Sequence, residues 1–136
     1  MIVVLDTNVL VAGLLKPFGP SAAVLRLAVC GQIKIAYDYR ILSEYREVLL
    51  RPAFGFAPAS VDALLAQLAE DGVAVTPPPS ADQFPDPSDA PFWEAAEASG
   101  AEALITGNKR HFPRKPGKAK TLSPSEFLEA FGLAGR

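Results

Sequence analysis

With 136 residues, 49% of them apolar, the chain has the size of one domain and enough apolar material for a sizeable core. A formal net charge of −2 excludes a global nucleic-acid signature, and a single cysteine excludes an intramolecular disulfide framework. No apolar run reaches the length of a bilayer span and no leader pattern precedes the first strand, so a cytoplasmic enzyme or binding domain is the expectation.

Ile2-Val3-Val4-Leu5 has the length and β-branched content of a buried parallel strand, and it ends on Asp6-Thr7-Asn8. Gly19-Pro20-Ser21 reads as a helix start with Ser21 as N-cap, Ala22 to Val29 is helical, and Gly31 stops it. Cys30, beside Leu27, Ala28 and Val29, reads as a small core residue. Ile33 to Tyr37 is a second strand. Leu42 to Leu50 is a helix with Ser43 near its start, and Tyr45, Val48 and Leu49 share one face. Pro58 to Glu70 is a helix with Ser60 as a candidate cap, Leu64, Leu65 and Leu68 facing inward, and Gly72 as its end. Val73-Ala74-Val75 is a third strand, and Pro77-Pro78-Pro79 forces an extended loop. A helix from Pro91 to about Ser99 follows Asp86-Pro87-Ser88-Asp89 and ends at Gly100. Ala103 to Thr106 is a fourth strand and Lys120-Thr121-Leu122 a short edge strand. Ser123-Pro124-Ser125-Glu126 is a capping box opening a last helix, Ser125 to Phe131. The alternation predicts one α/β domain over 1–136, a parallel sheet of four to five strands with helices on both faces.

In such a sheet, ligands bind beyond the carboxyl ends of the strands. Asp6, Glu44, Asp89 and Asn108 each follow a strand, so the topology can bring them to one edge. Converging carboxylates repel unless a cation neutralises them, and oxygen donors favour Mg²⁺ or Mn²⁺. The Cys and His spacing of a zinc site is absent, His111 being the only histidine. Metal-assisted phosphodiester hydrolysis suits such a cluster. Each residue also has a structural role open to it. Asp6 can cap the chain that follows it. Glu44 can serve a helix dipole, Asp86 and Asp89 a turn, and Asn108 a left-handed turn position. Lys109, Arg110, Arg114, Lys115, Lys118 and Lys120 form a local basic stretch without an acid, fitting either a solvated loop or an RNA path.

Ile2 to Leu10, Leu42 to Leu49, Asp86 to Phe92 and Ala103 to Pro113, in this order and spacing, resemble a PIN-domain protein, of the subgroup that includes VapC-type toxins of bacterial toxin–antitoxin systems. The resemblance covers nearly the whole chain. It implies a three-layer α/β/α sandwich and an endoribonuclease dependent on Mg²⁺ or Mn²⁺, producing 5′-phosphate and 3′-hydroxyl ends. It places the first acid on Asp6, the second on Glu44, and the third on Asp89, with Asp86 as the other candidate or an outer ligand. Thr7 or Asn8 would hold a metal-bound water, and Asn108 with Thr106 would orient the scissile phosphate or such a water. Lys109, Arg110, Arg114 and Lys115 would guide the RNA backbone. The resemblance further implies a homodimer and a cognate antitoxin protein, with Leu14, Leu15, Phe18, Phe54 and Phe56 as candidate contacts; ordinary core is the expectation for at least half of these.

The chain departs from the family where many members carry an acid: it has Asn108 and, three residues later, His111. The missing charge weakens a second metal position and keeps open an alternative, a catalytically weak or inactive PIN-like domain that binds RNA or protein. A haloacid-dehalogenase-like phosphotransferase also opens with a strand and an acid, but it needs a second Asp where this chain has Asn8.

Overall fold

The computed structural model describes residues 1–114 and 119–133. Five short strands, β1 (Ile2–Leu5), β2 (Lys34–Tyr37), β3 (Val73–Ala74), β4 (Ala103–Ile105) and β5 (Lys120–Leu122), form one all-parallel sheet in the order β3-β2-β1-β4-β5. Leu5 lies opposite Ile105, so β1 and β4 end side by side. The strand order reverses between these two central strands, which makes their carboxyl ends the switch point where an open α/β sheet has a crevice.

Six α-helices sandwich the sheet: α1 (Thr7–Leu15), α2 (Pro20–Val29), α3 (Tyr39–Leu49), α4 (Pro58–Asp71), α5 (Ala90–Ser99) and α6 (Pro124–Ala130). α2 packs on α1 and α6, while α3 packs on α4 and α5. β1 shows no wet face: Val3, Val4 and Leu5 are fully buried, as are Leu104, Ile105 and the large side chains Tyr45, Phe92 and Phe127. Gly72 is required where α4 turns into β3, because a Cβ there would strike the Ile35 and Leu68 carbonyl oxygens. Gly31, at φ 78°, ends α2 in the left-handed conformation that glycine adopts without cost.

The structure moves several boundaries. A helix, α1, runs directly from Asp6, where the sequence reading placed none; its all-round apolar character hides the helical period. α2 starts with Pro20 after Gly19, not at a Ser21 cap. Asp38 caps α3 by accepting from the Ile41 amide, four residues before the expected start. α4 begins at Pro58, so Ser60 lies inside it. Thr106 lies beyond β4, and the last helix opens one residue early, at Pro124, under the expected Ser123–Glu126 capping box. Cys30 is exposed at the end of α2, not in the core. None of the five candidate contact residues is fully buried: Leu14, Phe54 and Phe56 are partly covered, Leu15 is 47% exposed and Phe18 99% exposed.

Candidate active site

Five polar or charged residues are buried among the described residues: Asp6, Thr7, Asp89, Glu94 and Thr106. All but Glu94 stand at the carboxyl edge of the sheet or at the helix starts above it. Burying polar groups costs free energy unless they are hydrogen-bonded, and each buried side chain here has a partner.

Asp6 sits at the junction of β1 and α1 in extended conformation, and its carboxylate makes no capping hydrogen bond to the helix. Its partners come from the neighbouring strand end. The Thr106 hydroxyl donates to Asp6 Oδ2 at 2.7 Å, and the Asn8 amide reaches the same oxygen at 3.3 Å. Thr106 Oγ1 in turn accepts from the Asn108 amide at 2.9 Å. Asn8 Oδ1 accepts from the Gly107 amide at 3.2 Å, so one side chain ties α1 to the loop after β4. Burial pushes the Asp6 carboxyl above its ordinary range, against these hydrogen bonds and the adjacent Thr7 amide.

Glu44 lies in the middle of α3, beyond the first turn, so it does not serve the helix dipole. It is half-buried and accepts from the Thr7 hydroxyl. Burial raises its carboxyl, and the charges of Asp6, Asp86 and Glu47 raise it further. The next residue, Tyr45, is fully buried and donates to the Leu5 carbonyl at 2.6 Å, fixing α3 to the end of β1.

Asp86 and Asp89 separate cleanly. Asp86 is exposed and caps the 3₁₀ turn Pro87–Asp89, its Oδ1 accepting from the Ser88 amide at 3.0 Å and hydroxyl at 2.8 Å. Those hydrogen bonds hold it below the usual carboxylate range. Asp89 is buried at the head of α5. Burial, then the charges of Asp6 and Asp86, push it up to about 6. His111 Nδ1 lies 3.1 Å from Asp89 Oδ2 and partly offsets this rise. Asp89 is therefore the buried acid of the pair, within reach of the charge of Asp6, and Asp86 is the exposed one.

Among the remaining candidates, Thr106 is fully buried, and its hydroxyl donates to Asp6 and accepts from the Asn108 amide. Thr7 is committed to Glu44, and Asn8 bridges Asp6 and Gly107. Asn108 has negative φ, so it does not occupy a left-handed turn position; it is exposed and leads into the 3₁₀ turn Lys109–His111. Lys109 is paired with Glu126 at 2.8 Å, and that ion pair, with the capping amide of Ser123, pulls Glu126 down to about 2. Arg110 and Arg114 are exposed, whereas Lys115 lies outside the described residues.

Sequence reasoning missed three contributors. His111 was given no role, yet it is the partner of Asp89. Tyr45 reads as plain core, although its hydroxyl holds the strand end. Glu94 accepts from Arg40 at 2.8 Å and from the Ser80 amide at 2.7 Å, clamping the Pro-rich loop to α5. No local signal announces the last contact, because Arg40 is 54 positions away.

The donor set is oxygen from three carboxyls, the kind a hard divalent cation takes. Each acid is raised by burial, and Asp6 raises both of the others by its charge, so a cation would relieve all three. Their spacing is that of acids held by hydroxyl and imidazole partners; among the described residues no group of three His, Cys, Asp or Glu is close-set enough to hold a metal as it stands.

Two grooves leave the centre. One, of about 480 Å³, runs between α1 and α3 to Phe54; Glu44, Ser88 and Asp89 line its near end. The other, of about 410 Å³, follows Thr106 to His111 toward Ser123.

No curated protein and no solved structure matches the chain. A family model, the PIN domain, matches residues 2–110, which include Asp6, Glu44, Asp89 and Asn108. Members of this family are generally nucleases and typically use divalent metal ions. Asp6 at the switch point, the two further acids around it and the match over most of the chain agree: the protein belongs to the PIN domain family.

Proposed function

We propose that the protein is a Mg²⁺- or Mn²⁺-dependent endoribonuclease, and the toxin of a bacterial toxin–antitoxin pair. The observation that carries the nuclease reading is the gathering of Asp6, Glu44 and Asp89 from three separate stretches at one sheet edge, where burial raises all three and the charge of Asp6 raises the other two further. Acids arranged in this way favour a bound cation over a salt-bridge partner.

Asp6, Glu44 and Asp89 would hold the metal, and the metal when bound supplies an activated water and charge stabilisation on the phosphate oxygens. The chain's own residues do the positioning. Thr106 and Asn8 fix the rotamer of Asp6, Thr7 fixes Glu44, and His111 orients Asp89. A buried carboxylate held from two sides is pre-organised, so binding charge requires little rearrangement. Exposed Arg110 and Arg114, beside the polar groove, supply positive charge for an RNA backbone.

The finer parts of the reading follow the resemblance. The protein works as a cytoplasmic homodimer and is held in check by an antitoxin protein. Phe18, 99% exposed between α1 and α2, and Leu15, 47% exposed at the end of α1, are the apolar side chains such a partner would cover. A second reading, a PIN-like module that binds without cutting, is favoured by the loop after β4, where Asn108 and His111 supply no acid.

Cleavage of a panel of single-stranded and structured RNAs with Mn²⁺, Mg²⁺ and EDTA, beside Asp6→Asn prepared identically, separates the two. Metal-dependent cutting that disappears in the variant supports the nuclease. RNA binding without cutting under either metal supports the module.

A further inference from the structure

We propose that the groove between α1 and α3 is a subsite for one unpaired nucleobase of the RNA, stacked on Phe54; this rests on the nuclease reading above. The groove is continuous with the acids: Glu44 and Asp89 line the same cavity as Phe54. Whatever fills it therefore adjoins the phosphate held at the acids. Val11, Ala12, Leu15 and Val48 make its walls apolar, and the Thr7 and Asn8 side chains that also line it are already bonded to Glu44, Asp6 and the Gly107 amide. Such walls suit the apolar face of a base and not its polar edge, and the aromatic ring of Phe54 at the end of the groove gives that face a stacking partner. A base pair buried in a duplex has no such face to give.

Phe54 is built to receive one. Its ring stacks on Phe56 with centroids 5.9 Å apart and an interplanar angle of 25°. Gly55 between them, at φ 69°, closes the 3₁₀ turn Pro52–Phe54 in the left-handed conformation and brings the two rings alongside. Lys16 lines the same groove, and Arg51 directly precedes the turn that carries Phe54. Neither cation has an acid partner among the described residues, so both are available to the phosphates flanking the stacked base. An aromatic platform beside unpaired cations is the arrangement that binds single strands with little sequence preference.

The test uses a single-stranded decamer RNA carrying 2-aminopurine, and the same strand in a duplex. Binding is read in Asp6→Asn protein, which holds the RNA uncut, and cleavage in the unaltered chain. The expected result is quenching of the single strand on binding and none for the duplex. Phe54→Ala, placed in each chain, should raise Kd and KM about tenfold and abolish the quench, leaving kcat within about twofold, whereas Phe54→Trp restores binding and quench. Phe54 is only partly covered, so the thermal midpoint should barely move. If the chain cuts RNA and Phe54→Ala binds, quenches and cuts as before, the subsite is wrong and the groove is left to a protein partner. If the chain neither binds nor cuts RNA, the nuclease reading falls together with the subsite.

Discussion

The two grooves that leave the acids are opposites. On the α1–α3 side the walls are largely apolar, Lys16 and Arg51 have no acid partner among the described residues, and the Phe54 ring, backed by Phe56, closes the far end. On the β4 side the lining is polar, Lys109 is already neutralised by Glu126, and positive charge remains on Arg110 and Arg114. The difference lies in which backbone makes each wall. α1 follows β1 without a loop and presents Val11 and Leu15, whereas the segment after β4 is a short 3₁₀ turn rich in donors. A single-stranded substrate laid across the acids would be held by stacking together with Lys16 and Arg51 on one side and by charge alone on the other, so the first hold keeps its stacking part as salt rises.

The sharpest way to break this picture is at the centre both sides share. Asp6→Asn should lower RNA cleavage on the order of a thousandfold, the scale of removing one charge-stabilising group, while RNA binding persists; equal loss of both would show that Asp6 holds the fold and not the reaction. Thr106→Val keeps the side-chain shape and removes the hydroxyl that donates to Asp6. Without that donor Asp6 rises further, so the acid limb of the pH–rate profile should move to higher pH, with cleavage near neutrality down roughly tenfold. An unchanged profile would mean that Thr106 serves packing alone.

A smaller effect is read in stability. Asp89, raised to about 6 against its ordinary 3.8, takes up its proton more readily folded than unfolded. Its ionised form therefore destabilises the metal-free protein fully above about 6, and the penalty fades as pH falls to 3.8. Asp89→Asn should raise the thermal midpoint at pH 7 by roughly a few degrees, and the gain should vanish at pH 4. A gain of the same size at both pH values would assign it to packing. The smallest effect belongs to the polar groove. Lys109→Ala should weaken RNA binding less than Arg110→Ala, because the lysine is already paired, and the Arg110 variant alone should flatten the salt dependence.

The parallel sheet and the elements that carry the candidate acids were legible in the sequence because each rests on a local signal: the β-branched run before Asp6, the apolar face around Tyr45, the Asp-Pro turn before α5. The capping box at Ser123 was legible for the same reason. α1 was not, since a helix apolar on every side carries no period. Residue type alone does not separate Asp86 from Asp89, and only the resemblance favours Asp89. Both suit turn chemistry, and only the fold buries one and leaves the other capping Ser88 in solvent. The roles of Thr106, His111 and Glu94 depend on partners 100, 22 and 54 positions away. Long-range partners are set by topology, and no local pattern encodes them.

The account turns on Asp6, Glu44 and Asp89 acting as one cation-holding centre. Calorimetric titration of Mn²⁺ into the unaltered chain and into Asp6→Asn, Glu44→Gln and Asp89→Asn, at pH 7 and pH 5, tests this most directly. The account predicts binding by the unaltered chain that weakens at pH 5, as Asp89 takes up its proton, and loss of binding in each variant. Binding that is equal in all four proteins, or that no pH change alters, would contradict it.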